Sequence, residues 1–410
     1  MKYTRNSMHS WWMAGALAAS TLALASCAAA DPGDEEPQAA DEDGAQDAAP
    51  NVCTTGRWQC KSHIVVDEHN RARPFATPAG LGPADLASAY KLDPSVTSTA
   101  TIAIVDAFNY PNAESDLAAY RAQFGLPACT KANGCLRVLN QNGQTSPLPA
   151  NSPRNDDWTV EAALDLDMAS AACPTCKLIL FEANDDRGDG LFQAQNAAAA
   201  AGAVAISNSW GGPSDGTDVS LDAQFFSHTQ NVNVFVATGD AGNTKNQPDY
   251  PSTSAHVIGV GGTTLKKAAG TARGWTETAW SGAGSSCSKV IAKPAFQAAP
   301  VVPKAACANR AASDVAAVAN PNTGLAVFNA GAGGWIVVGG TSASSPFVAG
   351  VFARYGITGA SHDARYPYNH TAQFFDVTSG KNGTCTSALC KAGAGWDGPT
   401  GVGSPNGAAL

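Results

Sequence analysis

Five short, almost wholly apolar runs punctuate the first two thirds of the chain: Thr101–Asp106, Lys177–Phe181, Ala203–Ser207, Asn233–Ala237 and His256–Val260. Between them, Glu114–Phe124, Trp158–Ala171, Gly190–Ala201 and Ser220–Thr229 carry helical spacing. A strand that is apolar on both faces must be covered on both, and intervening helices supply the cover. The alternation predicts an α/β fold, a parallel sheet flanked by helices, with functional groups at the carboxyl ends of its strands. The 410 residues, 44% hydrophobic, suffice for one large domain or two modest ones. Residues 265–335 are Ala/Gly-rich and too weakly patterned to assign.

The first fifty residues read differently. Lys2 and Arg5 precede an apolar run, Trp11–Leu24, too short to span a membrane but suited to an export signal. Leu24-Ala25-Ser26-Cys27 looks like a bacterial lipobox, with Cys27 as the lipidation site; a signal peptide cut at a neighbouring alanine is the alternative. Asp31–Pro50 holds eight carboxylates and no basic residue, the composition of a solvated spacer. Most of the net charge of −9 sits there, and nothing in the charge pattern points to nucleic acid. The expected organisation is a lipoprotein signal over 1–27, an acidic linker over 28–50, an irregular segment over 51–81 that is a possible propiece, and one catalytic domain over 82–410. The chain is expected to be an exported, monomeric bacterial lipoprotein of the cell envelope or exterior, held to a membrane by its anchor. Apart from Cys27, ten cysteines fall into near neighbours: Cys53/Cys60, Cys129/Cys135, Cys173/Cys176, Cys287/Cys307 and Cys385/Cys390. In an exported chain such couples read as disulfides, although Cys173-Pro-Thr-Cys176 alone is also compatible with a redox or zinc site.

The stretch GGTSASSP, Gly339–Pro346, reads as a loop presenting a nucleophile, Ser342, between a buried strand, Trp335–Gly339, and a helix starting near Ser345-Pro346. A subtilisin-like base would require a histidine in a His-Gly-Thr-His context. None of His9, His63, His69, His228, His256, His362 and His370 has it, so Asp106, at the end of TIAIVD, lacks its partner. EAALD is the stronger candidate. Glu161 and Asp165 lie four apart, on one face of a helix, where paired carboxylates can share a proton and one can serve as general base. Asp167 falls on the opposite side, and Asp156 and Asp157 look like helix-start residues. An α/β-hydrolase elbow is excluded by the missing final glycine of G-x-S-x-G.

EAALD, SNSWGG (Ser207–Gly212), TGDAG (Thr238–Gly242), YPSTSAHVIGVGGT (Tyr250–Thr263) and GGTSASSP occur in that order. Together, from about Gly82 onward, they resemble the sedolisin family, the serine-carboxyl peptidases, whose fold is subtilisin-like. The resemblance implies a serine-type endopeptidase acting on protein or peptide substrates. It assigns Glu161 as general base for Ser342, Asp165 as its support, and Asp240 to the oxyanion hole. Asp240 helps there only as a neutral acid donating a hydrogen bond, and a carboxylate base suits an acidic optimum. Ser209, Trp210 and Gly211 match the edge that pairs with substrate backbone. Asp376 and Asp397, with the carbonyls of Val377, Gly393 and Gly395, resemble the family's structural calcium site. Only about thirty residues separate the acidic linker from this pattern, so inhibition by a large prodomain does not carry over. A catalytically silent envelope lipoprotein using the fold as a binding platform is the competing reading.

Overall fold

The computed structural model describes residues 49–153, 157–227, 232–244, 247–358 and 364–410. The export signal, Cys27, nearly all of the acidic linker, Asp156, His228 and His362 lie outside the described residues. Among those described, no helix is long and apolar enough to cross a membrane.

The α/β architecture is that of a central sheet covered by helices. Its strands are β1 (Thr101–Ala107), β2 (Leu136–Asn140), β3 (Lys177–Ala183), β4 (Ala205–Asn208), β5 (Asn233–Ala237), β6 (Ile258–Lys267), β7 (Trp275–Ala279) and β8 (Val315–Val318). Their order is β7-β6-β5-β4-β1-β3-β2, with β8 also paired to β6; all pairs are parallel except β6–β7. From β1 the chain moves one way to β2 and β3, then returns to β4 and continues the other way. The boundary between β1 and β4 is thus the switch point, where a crevice opens beyond the strand ends. Two strands, β2 and β7, lie where the apolar pattern is broken by Arg137 or by Glu277, which is why neither is conspicuous in the sequence. The run beginning at His256 enters the sheet only at Ile258 and continues to Lys267, and Ser220–Thr229 corrects to a short helix, Asp218–Leu221, followed by a π-turn, Asp222–Phe226.

Two helices carry the chemistry. Trp158–Ala172 is capped by Asp157, whose side chain accepts from the Thr159 amide, and all but one of its residues are buried. Thr341–Arg354 is buried throughout. Both helices are buried on every side, polar residues included, and they pack together so tightly that a Cβ on Gly350 would meet the Ala172 Cβ at 2.6 Å. Asp167 points away from the other acids and accepts the Phe328 amide.

All five neighbouring cysteine couples are disulfides. The segment before residue 81 is less irregular than its sequence suggests. Gln59–Cys60 pairs antiparallel with Trp210–Gly211, and His63–Ile64 pairs antiparallel with Gly339 and Val338 of the Leu325–Asn329/Gly334–Gly339 hairpin. Strands this short leave no periodicity to read; partners distant in sequence make them.

Candidate active site

Ser342 stands at a strand-to-helix turn. Gly334–Gly339 ends, Gly340 takes φ 110°, and the helix begins at Thr341, four residues before the Ser345-Pro346 start read from the sequence. The turn requires glycine for space as well as for its φ: a Cβ on Gly340 would meet the Lys61 carbonyl oxygen at 2.1 Å and Asp240 Oδ2 at 2.6 Å. Pro346 therefore sits inside the helix. Lacking an N–H, it leaves the Ser342 carbonyl without its usual i+4 donor, and the Ser209 hydroxyl approaches that oxygen instead at 3.4 Å. The Ser342 hydroxyl donates to the Ser209 carbonyl at 3.1 Å and accepts the Lys61 amide at 2.9 Å.

Below the serine lies a cluster of buried acids. Glu161 and Asp165 are 0% exposed and Asp106 1%, and one oxygen of each lies within 4.8 Å of the others, a set that could hold a metal ion. Burial raises all three carboxyls well above the ordinary range. Asp106 adds repulsion to Glu161 and Asp165, Glu161 adds to Asp165, and Glu182, opposite Asp106 in register, adds to Asp106. The Ser342 and Ser62 hydroxyls favour the charged form of Glu161, yet neither completes a hydrogen bond to it. Asp165 accepts the Ser209 hydroxyl at 2.9 Å. Asp106, set aside in the sequence for want of a histidine, belongs to this cluster because β1 ends at the switch point. Among the described residues no histidine bonds to Ser342.

Asp240 follows β5 beside the turn. Its Oδ1 accepts the Thr341 amide and hydroxyl, each at 2.8 Å, while Oδ2 lies 3.3 Å from His63 Nε2. Burial works against a charged His63, but Asp240 and the Ala49 carbonyl outweigh it and raise the ring above its ordinary value. Ser209 and Gly211 present their backbone to residues 59–61, whereas the Trp210 side chain is buried, its indole donating to the Val105 carbonyl at 3.0 Å. Lys61 Nζ reaches Asp249 Oδ2 at 2.7 Å. Lys61, Ser62, His63 and Asp249 escaped the sequence reading, since only long-range pairing brings them here.

The second acidic site is separate. Gly395 donates to Asp376 and Gly393 to Asp397, so a single loop joins the two carboxylates. Asp397 is buried, which pushes its carboxyl up to about 7, with Thr400 and the Gly393 amide opposing and Asp376 adding to the rise. Val377 is buried beside Asp376.

A serine on a buried helix at the open end of a parallel sheet, served by acids from the neighbouring helix, defines a subtilisin-like protein. Residues 150–395 match the subtilase family, and the chain belongs to it, within its sedolisin branch. Kumamolisin from Bacillus sp. (strain MN-32) is 30% identical over 365 residues, covering 82% of this chain and 64% of that protein. Sedolisin from Pseudomonas sp. (strain 101) is 28% identical over 389 residues, covering 83% and 62%. The chain thus spans less than two thirds of either relative. Among solved structures, Pseudomonas sedolisin (serine-carboxyl proteinase), complexed with two molecules of pseudo-iodotyrostatin, aligns with TM-score 0.67 and 24% identity over 81% of this chain and 97% of that one. Sphericase aligns with TM-score 0.52 and 17% identity over 81% and 99%.

Proposed function

We propose that the protein is a serine-carboxyl endopeptidase that cuts peptide bonds through an acyl-enzyme on Ser342. The observation that carries this reading is the Ser342 turn, set over the buried Asp106–Glu161–Asp165 cluster and facing a peptide in extended form. Glu161 takes the hydroxyl proton as the serine attacks and returns it to the leaving amine. Asp165, oriented by Ser209, and Asp106 raise the proton affinity of Glu161, as coupled acids do. The Ser342 amide donates to the developing oxyanion, and Asp240 supports the hole by holding Thr341. Asp249 faces the first side chain on the acyl side and favours a basic one. Ser209, Trp210 and Gly211 form the edge to which substrate adds as a strand.

Coupled acids lose their protons in steps, so over an acidic range the cluster carries one ionised carboxylate while its neighbours stay protonated, the state the base needs, and the enzyme works best in acid. Calcium would be held by Asp376 and Asp397 with the carbonyls of Val377, Gly393 and Gly395; all donors are oxygen, the set a hard divalent cation prefers, and the ion would stiffen this loop. The sequence of the first 27 residues supports export and anchoring at Cys27, which places the substrates at the cell envelope. The test is hydrolysis of denatured casein from pH 3 to 8 by the wild type, Ser342→Ala and Glu161→Ala. Activity confined to the wild type and greatest below neutrality is the expected result; equal activity in all three removes the reading.

A further inference from the structure

Residues 287–307 form a loop closed by the Cys287–Cys307 disulfide, and two features set its outer surface apart. No aspartate or glutamate occurs between Glu277 and Asp314, whereas Lys289, Lys293 and Lys304 fall inside the loop. Only three large apolar side chains are exposed among the described residues, and two of them belong to it: Val290 at 44% and Val301 at 43%. Ala292, Pro300 and Pro303 are exposed beside them.

The loop holds these groups outward rather than failing to bury them. Ile291 and Val302, the immediate neighbours of the two valines, are 7% and 0% exposed and turn into the core. Gln297 is fully buried and donates to the Ala311 carbonyl at 3.0 Å and to Asp314 at 3.1 Å, so the loop is bolted onto the buried Arg310–Asp314 ion pair. The Arg310 amide donates to the Ile291 carbonyl at 3.1 Å, and the Lys293 ammonium donates to the Val302 carbonyl at 2.9 Å, which ties the two arms together. Partial burial and then the neighbouring Lys304 hold the Lys293 ammonium below the usual lysine range. Cationic groups set beside exposed valines, with no acid in the loop to offset them, match a surface that is negative at its face and apolar beneath.

We propose that residues 287–307 are a docking surface for anionic phospholipid, the lysines meeting the headgroups and Val290 and Val301 entering between them. The occupant follows from what each candidate offers. The acidic stretch Asp31–Pro50 of the same chain would neutralise the lysines, but it has no large apolar residue to cover the valines. A second copy of the loop would bring like charges together. A bilayer supplies both halves of the match, and the chain between Cys27, read as the lipidation site, and Ala49, the first described residue, spans at most about 75 Å. The disulfide fixes the loop beforehand, so docking orders little of it. At the root of the loop the Gly284 amide donates to the Gly239 carbonyl at 2.6 Å, next to Asp240. A docked loop therefore holds the open end of the sheet close to the bilayer, where polypeptides at the membrane surface are the substrates met first. That last step alone rests on the peptidase reading; the docking does not.

Residues 47–410 form one compact unit holding every described strand, helix and disulfide, and this piece is tested with Ser342→Ala to prevent self-digestion. Flotation with vesicles of phosphatidylcholine plus phosphatidylglycerol, and of phosphatidylcholine alone, measures binding at low and high salt, with thermal melts reporting on folding. The expected result is binding to the anionic vesicles only, weakening steeply with salt. Affinity should fall about a hundredfold in Lys289→Gln/Lys293→Gln/Lys304→Gln and about tenfold in Val290→Ser/Val301→Ser. Lys131→Gln/Arg137→Gln/Lys177→Gln, which removes as many charges from exposed positions around β2 and β3, should bind as the parent does. Equal binding by the two triple variants, or equal binding to neutral vesicles, overturns the assignment. A protein that ignores vesicles but forms a dimer abolished by the valine changes overturns it in favour of a second copy. Loss of vesicle binding when residues 28–46 are restored overturns it in favour of the acidic stretch.

Discussion

Two of the buried clusters of ionisable groups are built on opposite plans. Arg310 and Asp314 are both 0% exposed and meet in a two-pronged pair, Nη2–Oδ2 at 2.6 Å and Nη1–Oδ1 at 2.8 Å. The guanidinium also donates to the Ser254 and Val257 carbonyls, and the carboxylate accepts from the Gly259 amide, Gln297 and Tyr368. Asp106, Glu161 and Asp165 have no cation among them, and five of their six oxygens complete no hydrogen bond within the described residues. Burial of a charge is tolerated when its partners replace water and is destabilising when they do not. The first cluster is an architectural joint at the far end of β6. The second keeps its unmet demand, which is what a proton-transfer site needs.

Removing Arg310 inverts the first plan. Arg310→Ala leaves Asp314 buried without its cation and is expected to lower stability by about 3–5 kcal/mol, measured by urea unfolding with Ser342→Ala in the background to prevent self-digestion. The second cluster should respond with the opposite sign. Glu161→Gln takes away a carboxyl whose ionisation burial opposes, and is expected to raise the unfolding free energy on the alkaline side by about 1.4 kcal/mol for each pH unit by which the folded carboxyl is raised, while turnover falls about 10³-fold. The pH dependence follows from the raised carboxyls. A carboxyl that is more basic folded than unfolded contributes stability that is complete below about pH 4 and is lost as pH rises through its folded value. The wild-type melting temperature should therefore fall from pH 4 to pH 8, and Glu161→Gln/Asp165→Asn should flatten that fall; identical slopes would break the contrast. Smallest is the effect expected at Asp376 and Asp397, an acidic pair intermediate between the two plans. EDTA should lower the melting temperature by several degrees, restored by excess calcium, and an unchanged melt would mark the loop as self-sufficient.

What could be read beforehand follows the range of the interaction. Glu161 and Asp165 share a helical face because of their spacing alone, and the five disulfides join cysteines no more than 20 residues apart. The apolar strands β1, β3 and β5 announce themselves because both faces are covered. Asp106 has no histidine partner in the sequence, and its companions are carboxylates contributed by a different element. Residues 265–335 hold strands of four or five residues, some in local hairpins, separated by long irregular turns, so no run is long enough to show a period. Proline is usual in a first turn, so Pro346 suggests a later start than Thr341; here it stands in the second turn. Lys61 and Asp249 meet across 188 positions that carry no mark of the pairing.

The position of the cleft-filling loop at the beginning of the chain has a consequence for biosynthesis. Lys61 is made 281 residues before Ser342, and of the two edges that receive its segment, Trp210–Gly211 follows the first four strands of the central sheet while Val338–Gly339 follows all eight. The segment at 59–64 can complete both pairings only once Val338–Gly339 exists, three residues before the serine it lies against.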